Sequence, residues 1–308
     1  MTRLVRRLHA LAAGFVVATA ILLAPGALAE TRCGLGAAGA TARIMIGDTG
    51  RTMLLHLPIG FDPAKRAPLV ILLHGSTSNG AQMLHDSGLE ATADRHGFIV
   101  AAPDGGIAVG SGFVWNIPGV PTVEGTVPGP EAADDVAWLG KSIDWLAAHG
   151  CIDRTRVYAT GLSGGGRMTS WLGCVAAARF AAIAPVVGLR AGNPDALDRT
   201  RPDPATCRPA RAVPVIAFAG DADRTNPITG GGAGYWQYSM HVAEQRWAQL
   251  NGCAAAPVTR WVADGVYEER YEACRDGAAV VGRITVGGTH RWVVDNEALW
   301  AFLSRFHR

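Results

Sequence analysis

One serine in this chain stands at the junction of a strand-like segment and a helix-like segment. Residues 156–160 read Arg-Val-Tyr-Ala-Thr, which favours a buried β-strand, and helical spacing follows over residues 166–178. The residues between them, Gly161-Leu162-Ser163-Gly164-Gly165, match G-x-S-x-G, the pattern of a nucleophile elbow. A serine on so sharp a turn needs small neighbours, and we expect Gly161 and Gly164 to meet this need. Because the chain has 39 glycines, the motif is informative only with the predicted strand and helix around it.

The N-terminus has the pattern of a cleavable signal peptide. Three arginines within residues 1–7 precede an apolar run from Leu11 to Leu23, and Ala27-Leu28-Ala29 offers a small-x-small cleavage site. The apolar run is short for a membrane-spanning helix, although a retained anchor helix is the alternative. We therefore expect residues 1–29 to be removed, no membrane anchor to remain, and the protein to be secreted or periplasmic.

Charge gives no reason to expect a nucleic-acid or anionic-membrane partner. Removal of residues 1–29 takes away three arginines and no acid, so 25 of the 28 basic residues remain against 26 acidic ones. The formal charge of +2 therefore belongs to the leader, and the remainder is nearly neutral. Residues 30–308 have a length that suits one large catalytic domain with a sizeable core.

Six cysteines, all after residue 29, are typical of an exported and oxidised protein. We pair Cys253 with Cys274 first, because they flank a predicted hairpin. The pairs Cys174–Cys207 and Cys33–Cys151 then follow by elimination. Neither C-x-x-C nor H-E-x-x-H spacing is present, so we expect no metal site, and no motif calls for a cofactor.

The rest of the chain alternates between predicted strands and helices. The predicted strands cover 52–57, 67–73, 97–103, 156–160, 180–187, 213–220, 257–263, 267–272 and 280–286. The predicted helices cover 81–96, 134–149, 166–178, 235–252 and 295–306. A hairpin is expected over 41–58 with its turn at 47–50, and loops are expected over 104–133 and 189–211. This alternation, with continuous apolar runs, predicts an α/β protein with a doubly wound, mostly parallel sheet in a single domain.

A nucleophilic serine also needs a base and a carboxylate that orients the base. The order serine, acid, histidine is available, because Asp221 and Asp223 follow the strand 213–220 and His290 follows the strand 280–286. We prefer Asp223 as the acid and keep Asp221 as the alternative. Among the nine histidines, His290 is the one that lies after both serine and acids in a Gly-rich loop, so we expect it to be the base.

The oxyanion needs hydrogen-bond donors that point at the reacting carbonyl. We expect the backbone N–H of Gly164 and one from the loop that begins at His74-Gly75, where Ser76 is the best candidate. The alternative interpretation of His74-Gly75 is a tight turn in which the histidine side chain simply packs.

Several ordered motifs across the chain carry a family resemblance. They are Leu73-His74-Gly75, Pro103-Asp104-Gly105, Trp115-Asn116, Asp134-Asp135-Val136, Ile152-Asp153-Arg154, Gly161-Leu162-Ser163-Gly164-Gly165, Gly220 with Asp223, Trp247 with Asn251-Gly252-Cys253, and Gly288 with His290 and Trp292. From about Thr52 to about Trp300, the chain resembles the polyhydroxybutyrate depolymerase and feruloyl esterase family of secreted α/β-hydrolases. The resemblance implies the α/β-hydrolase fold, the triad Ser163, Asp223 and His290, and an oxyanion hole formed by the Ser76 and Gly164 amides. The chain departs from the family pattern at Ala219, where the family has a histidine, and at Arg291, after which no Pro-Gly follows.

These observations predict a secreted serine esterase that hydrolyses carboxylic esters through an acyl-enzyme. Trp115, Trp236 and Trp292 are the expected walls of its substrate pocket. No linker or granule-binding module follows His290, so we expect soluble oligomers or small esters as substrates. A serine peptidase on the same fold and a non-catalytic exported binding protein are the alternatives. The oligomeric state is left open.

Overall fold

The computed structural model describes residues 32–308. These residues form a twisted sheet with helices on both faces. The predicted signal peptide, residues 1–29, lies outside the described residues. The strands are β1 (Thr41–Met45), β2 (Thr52–His56), β3 (Ala67–Leu73), β4 (Ile99–Pro103), β5 (Ile107–Val109), β6 (Gly112–Val114), β7 (Ile152–Leu162), β8 (Ala182–Val186), β9 (Val215–Gly220), β10 (Val258–Ala263), β11 (Val266–Tyr271) and β12 (Val280–Thr285). The helices are α1 (Gly80–Ser87), α2 (Leu89–His96), α3 (Asp135–Ala148), α4 (Gly164–Val175), α5 (Met240–Asn251) and α6 (Asn296–Leu303).

The main sheet has ten strands in the order β1-β2-β4-β3-β7-β8-β9-β12-β11-β10. The six strands from β4 to β12 in this order run parallel, and antiparallel strands flank them at both edges. This arrangement confirms the predicted doubly wound, mostly parallel α/β sheet. The carboxyl ends of β3, β7, β9 and β12 meet at one edge, which is where open α/β sheets bind ligands.

Two apolar cores lie on opposite faces of the sheet, and side chains of β3 alternate between them. Leu69, Ile71 and Leu73 pack into the core that contains buried residues of α3, α4 and α5. Val70 and Leu72 pack into the core that contains buried residues of α1, α2 and α6. Because both faces are covered, β3, β4, β8 and β9 are apolar at every position rather than at every second one.

Disulfides join the three predicted cysteine pairs. They connect Cys33 with Cys151, Cys174 with Cys207 and Cys253 with Cys274. The first ties the segment before β1 to the start of β7, across a separation of 118 residues. Three disulfides are consistent with an oxidising compartment. Within residues 32–308, no helix is long and apolar enough to span a membrane.

Some predicted boundaries were wrong, and the structure shows why. The predicted helix 81–96 is two helices, because Gly88 adopts a left-handed φ of 58° and ends α1. The predicted helix 235–252 begins only at Met240, where the Ser239 side chain accepts a hydrogen bond from the Val242 N–H and caps α5. The predicted loop 104–133 contains the short hairpin β5–β6, which covers the loop after β3.

The carboxyl group of Glu244, on α5, is buried against strand β12 of the sheet. Glu244 is 1% exposed, and its Oε1 lies where a Cβ at Gly282 of β12 would come within 1.7 Å of it. Burial raises the pKa of Glu244 well above its usual range, and the neighbouring Glu269 raises it further. The folded protein therefore keeps a proton on Glu244 at a pH where the unfolded chain has lost it.

We expect Glu244→Gln to stabilise the protein more at about pH 8 than at about pH 5. Below the pKa that Glu244 has in the unfolded chain, its side chain is protonated in both states and its ionisation costs no stability. As the pH rises from that value toward the raised pKa of the folded protein, Glu244 lowers the free energy of unfolding. Glutamine does not titrate, so the variant lacks this loss. Thermal unfolding of parent and variant at both pH values measures the difference. A difference between the two proteins that does not change with pH would contradict the protonated state of Glu244.

Candidate active site

Ser163 occupies a strained turn between β7 and α4. Its φ of 54° and ψ of −108° place a non-glycine residue in a region that costs on the order of 1–3 kcal/mol. Neighbouring backbone holds it there, because its N–H donates to the Val186 carbonyl at 2.9 Å and its carbonyl accepts from the Arg167 N–H at 2.8 Å. The serine hydroxyl is thereby presented at the carboxyl edge of the sheet, as the elbow pattern predicts.

Close packing around the turn explains its glycines. A Cβ at Gly161 would lie 2.6 Å from the Leu73 carbonyl oxygen, and one at Gly164 would lie 2.4 Å from Ser76 Oγ. The need for small residues at these two positions agrees with the prediction. The tightest position is Gly165, the last glycine of the G-x-S-x-G pattern, for which no packing role was predicted, since a Cβ there would lie 2.1 Å from the Leu73 carbonyl oxygen. The first turn of α4 therefore rests directly on the end of β3.

The three predicted triad residues form one hydrogen-bonded chain. His290 Nε2 lies 2.9 Å from Ser163 Oγ, and His290 Nδ1 lies 2.7 Å from Asp223 Oδ2. The other carboxylate oxygen, Asp223 Oδ1, accepts hydrogen bonds from the N–H groups of Thr225 and Asn226 at 2.8 and 2.9 Å. This arrangement leaves Nε2 as an acceptor that can take the proton of the serine hydroxyl.

Asp223 keeps its negative charge although it is buried. Burial raises the pKa of Asp223, but the hydrogen bond with His290 and the Asn226 and Thr225 amides lower it by more, so that the pKa lies below its usual value. A carboxylate that is ionised at neutral pH can accept a hydrogen bond from His290 Nδ1 and can stabilise an imidazolium.

Asp221, the alternative acid, has a different position. It is exposed, and its Oδ1 accepts a hydrogen bond from the Gly287 N–H at 2.6 Å. Gly220 packs on Gly288, where a Cβ would lie 2.1 Å from the Gly288 carbonyl oxygen. Asp221 therefore ties the loop after β9 to the loop after β12, and it is Asp223 that contacts His290.

The two predicted oxyanion donors lie side by side. A Cβ at Gly164 would come within 3.0 Å of the Ser76 nitrogen, and neither amide N–H donates to an acceptor within residues 32–308. The loop is held by the Thr77 N–H, which donates to the Phe113 carbonyl at 2.8 Å. Two free, neighbouring N–H groups next to Ser163 are what an oxyanion requires.

His74 supports this loop through both of its ring nitrogens. Its Nε2 accepts from the Gly105 N–H at 2.9 Å, and Nδ1 donates to the Gly75 carbonyl at 2.7 Å. Burial lowers the pKa of His74, which keeps the ring neutral in this arrangement. Trp115 covers the imidazole with its ring centroid 4.8 Å away and donates from Nε1 to the His74 carbonyl.

The three tryptophans proposed as pocket walls lie in different places. Trp115 lines a small cavity together with Ser76 and Gly164. Trp236 is buried, and its Nε1 donates to the Pro227 carbonyl. Trp292 packs on the core that contains α6, and its Nε1 donates to Asn296. Of the three, Trp115 is in direct contact with the loop that carries the oxyanion amides.

Arg167 and Tyr235 line the cavities beside the serine and were missed by the sequence reasoning. The spacing of Arg167 was a usable signal, because a residue four positions after Ser163 lies on the same face of the helix. Two larger depressions, one beside Asp198 and Arg246 and one beside Ala177 and Arg208, contain none of the predicted site residues.

One group of potential metal ligands occurs in the described part of the chain. His241, Glu244 and Glu269 have ligand atoms within 4.8 Å of one another. They lie on α5 and β11 rather than at the elbow, His241 Nδ1 already lies 3.0 Å from Glu269 Oε2, and the raised pKa of Glu244 disfavours its anionic form. The chemistry of the elbow does not involve them.

Comparison with known proteins identifies the family. Residues 52–215, more than half of the chain, match the family model described as Esterase PHB depolymerase. The chain belongs to this family. It is 30% identical over 267 residues to feruloyl esterase B of Piromyces equi, covering 83% of this chain and 45% of that protein. It is 34% identical over 138 residues to poly(3-hydroxyalkanoate) depolymerase C of Paucimonas lemoignei, covering 44% of this chain and 31% of that protein. The chain thus spans less than half of the length of these two relatives.

Solved structures confirm the α/β-hydrolase fold. Acetyl xylan esterase from Aspergillus awamori superposes with a TM-score of 0.60 at 15% identity, over 86% of this chain and 99% of that one. The feruloyl esterase module from Clostridium thermocellum, complexed with sinapinate, gives a TM-score of 0.51 at 16% identity, over 87% and 88% of the two chains. At these identities the likeness concerns the fold alone.

We expect Gly165→Ala to lower the free energy of unfolding by about 1–3 kcal/mol, because its Cβ would collide with backbone. This reverses the usual gain of about 1 kcal/mol for Gly→Ala inside a helix. Gly140→Ala in α3 is the matched control, since a Cβ there meets only the flexible end of Arg179, at 3.1 Å. Urea unfolding of both variants tests this. A Gly165→Ala protein as stable as the Gly140→Ala protein would contradict the packing of α4 on β3.

Proposed function

We propose that this member of the esterase PHB depolymerase family is a serine esterase that hydrolyses carboxylic esters through an acyl-enzyme. The observation that carries the proposal is the continuous chain from Ser163 Oγ through His290 to Asp223, with separations of 2.9 and 2.7 Å. It lies beside two amide N–H groups with no acceptor among the described residues. A binding protein has no need of this combination, whereas acyl transfer needs all of its parts.

The reaction follows from the positions of these groups. Ser163 Oγ attacks the ester carbonyl carbon while His290 Nε2 takes the hydroxyl proton, and Asp223 stabilises the imidazolium. The Ser76 and Gly164 amides donate to the oxyanion. When the tetrahedral intermediate collapses, the imidazolium returns its proton to the leaving alcohol, and the acyl group remains on Ser163. Water then attacks the acyl-enzyme with His290 as base, the acid is released, and the serine hydroxyl is restored.

The substrate class is proposed from the named relatives. These proteins are called feruloyl esterase, poly(3-hydroxyalkanoate) depolymerase and acetylxylan esterase/xylanase. The substrates that these names indicate are all esters, and they differ in the acyl group. We propose soluble oligomers or small esters as the substrates. The catalytic domain would be residues 30–308, after removal of residues 1–29. Its three disulfides support action outside the cytoplasm.

We expect the parent protein to hydrolyse at least one ester from a panel of short acyl esters, methyl ferulate and hydroxybutyrate oligomers. Ser163→Ala should lower kcat by about 10⁴-fold or more, and Asp223→Asn by about 10⁴-fold, because an amide in place of the carboxylate favours the wrong tautomer of His290 and cannot stabilise the imidazolium. Asp221→Asn is the matched control, and its kcat should stay within about threefold of the parent, since Asp221 contacts Gly287 rather than His290.

Steady-state kinetics on the best ester of the panel separates these outcomes. Equal rates for Ser163→Ala and the parent would overturn the mechanism. A larger loss in Asp221→Asn than in Asp223→Asn would move the acid to Asp221.

A further inference from the structure

A buried arginine lies one helical turn beyond the serine. Arg167 is 6% exposed, and its guanidinium lies 4.0 Å above the ring of Tyr235. Its Nη2 is 3.5 Å from Ser76 Oγ, and its Nε has no hydrogen-bond partner among the described residues. No carboxylate within residues 32–308 forms an ion pair with it.

A second buried arginine stands close to the first. Arg190 is 7% exposed and lies between the rings of Trp236 and Tyr238, at 4.3 and 4.5 Å from their centroids. Its Nη2 donates to the Tyr235 carbonyl, whereas its Nη1 has no partner in the described part of the chain. Arg190 therefore positions the segment 235–238, including the ring on which Arg167 stacks.

Two buried cations without a counter-charge are unfavourable in the free protein. Burial lowers the pKa of Arg167 to about 10, with Tyr235 opposing this shift and Arg190 adding to it, so Arg167 stays charged at neutral pH. Removing a cation from water without a partner is unfavourable, and an anion that binds beside it recovers part of that cost.

The space beside Arg167 connects it with the reacting centre. Arg167 lines one small cavity with Ser76, Gly164 and Trp115, and a second with Arg190 and Tyr235. The two cavities also share Ile117 and Val120, so they adjoin. An anion bound by the guanidinium would therefore lie next to the amides that receive the ester oxygen.

We propose that Arg167 binds a carboxylate carried by the ester substrate, so that this site prefers esters with a free carboxylate close to the scissile bond. The inference rests on the proposed function, because it concerns the pocket of the same serine. A guanidinium offers a planar pair of N–H donors that matches a carboxylate, and the buried Nε of Arg167 has no acceptor among the described residues. Arg190 acts as a positioning residue through Tyr235.

A carboxylate can reach this place from either side of the ester. In a half-ester of a dicarboxylic acid it belongs to the acyl group, and in an acyl ester of a hydroxy acid it belongs to the alcohol. Two substrate pairs distinguish these sources. Monoethyl glutarate against its neutral half-amide, ethyl glutaramate, tests the acyl side. 3-Butyryloxybutyrate against its primary amide tests the alcohol side.

We expect the parent to show a kcat/KM about 10- to 100-fold higher for the carboxylate than for the amide in at least one pair, as expected for a charge-assisted hydrogen bond. Arg167→Met should abolish this preference, and Arg167→Lys should keep part of it. Arg95→Met is the matched control, because it removes one exposed positive charge from α2, and the parent's preference should remain. The ratio of the two rates is the readout, since a purely structural role of Arg167 would not change it.

The outcomes distinguish a failure of the carboxylate site from a failure of the esterase proposal. Equal rates for carboxylate and amide in both pairs, with hydrolysis that depends on Ser163, would overturn the carboxylate site and leave the esterase proposal standing. No hydrolysis of any ester would overturn the esterase proposal itself. Arg167→Met should unfold at the parent's temperature or above, since an unpaired buried charge is replaced by an apolar chain. If that variant does not fold, the carboxylate-to-amide ratio of the parent alone decides.

Discussion

The contact between the first turn of α4 and the end of β3 is the constraint on which the site depends. The Leu73 carbonyl approaches both Gly161 and Gly165 so closely that neither position has room for a Cβ. At the same contact, Ser163 has its positive φ of 54°, and a Cβ at Gly164 would lie 3.0 Å from the Ser76 nitrogen. The proposed nucleophile and the proposed oxyanion donors therefore lie around one packing contact.

The two ends of the site differ in how their charges are satisfied. At one end, Asp223 is buried with an imidazole and two amides around it, and its charge is compensated. At the other end, Arg167 and Arg190 are buried with aromatic rings around them and with N–H groups that lack acceptors among the described residues. A complete hydrogen-bond network suits a group of residues that must hold one geometry. An incomplete network suits a binding site in which a ligand supplies the missing hydrogen-bond acceptor.

Much of this could be predicted from local patterns. The apolar run of β3, the glycines of the elbow and the order of serine, acid and histidine predicted the sheet and the positions of Ser163 and His290. Where sequence reasoning was wrong, tertiary contacts decided. The predicted helix 235–252 included Tyr235 and Trp236. Because Ser239 caps α5, the helix begins only at Met240, and both aromatic residues lie in an irregular segment before it. Arg167 could have been placed on the face of Ser163, but its stacking on Tyr235 and the cavities that it lines with Ile117 and Val120 depend on segments far away in the chain.

The central claim is that Ser163 is activated by His290 to form a covalent acyl-enzyme. Reaction with a fluorophosphonate ester, followed by peptide mass spectrometry, tests it most directly, because such a reagent phosphonylates a serine that an adjacent base activates. We expect the adduct on the peptide that contains Ser163 in the parent protein and its loss in His290→Ala. An unmodified Ser163 in a parent protein that still hydrolyses esters, or an adduct on another residue, would contradict the account.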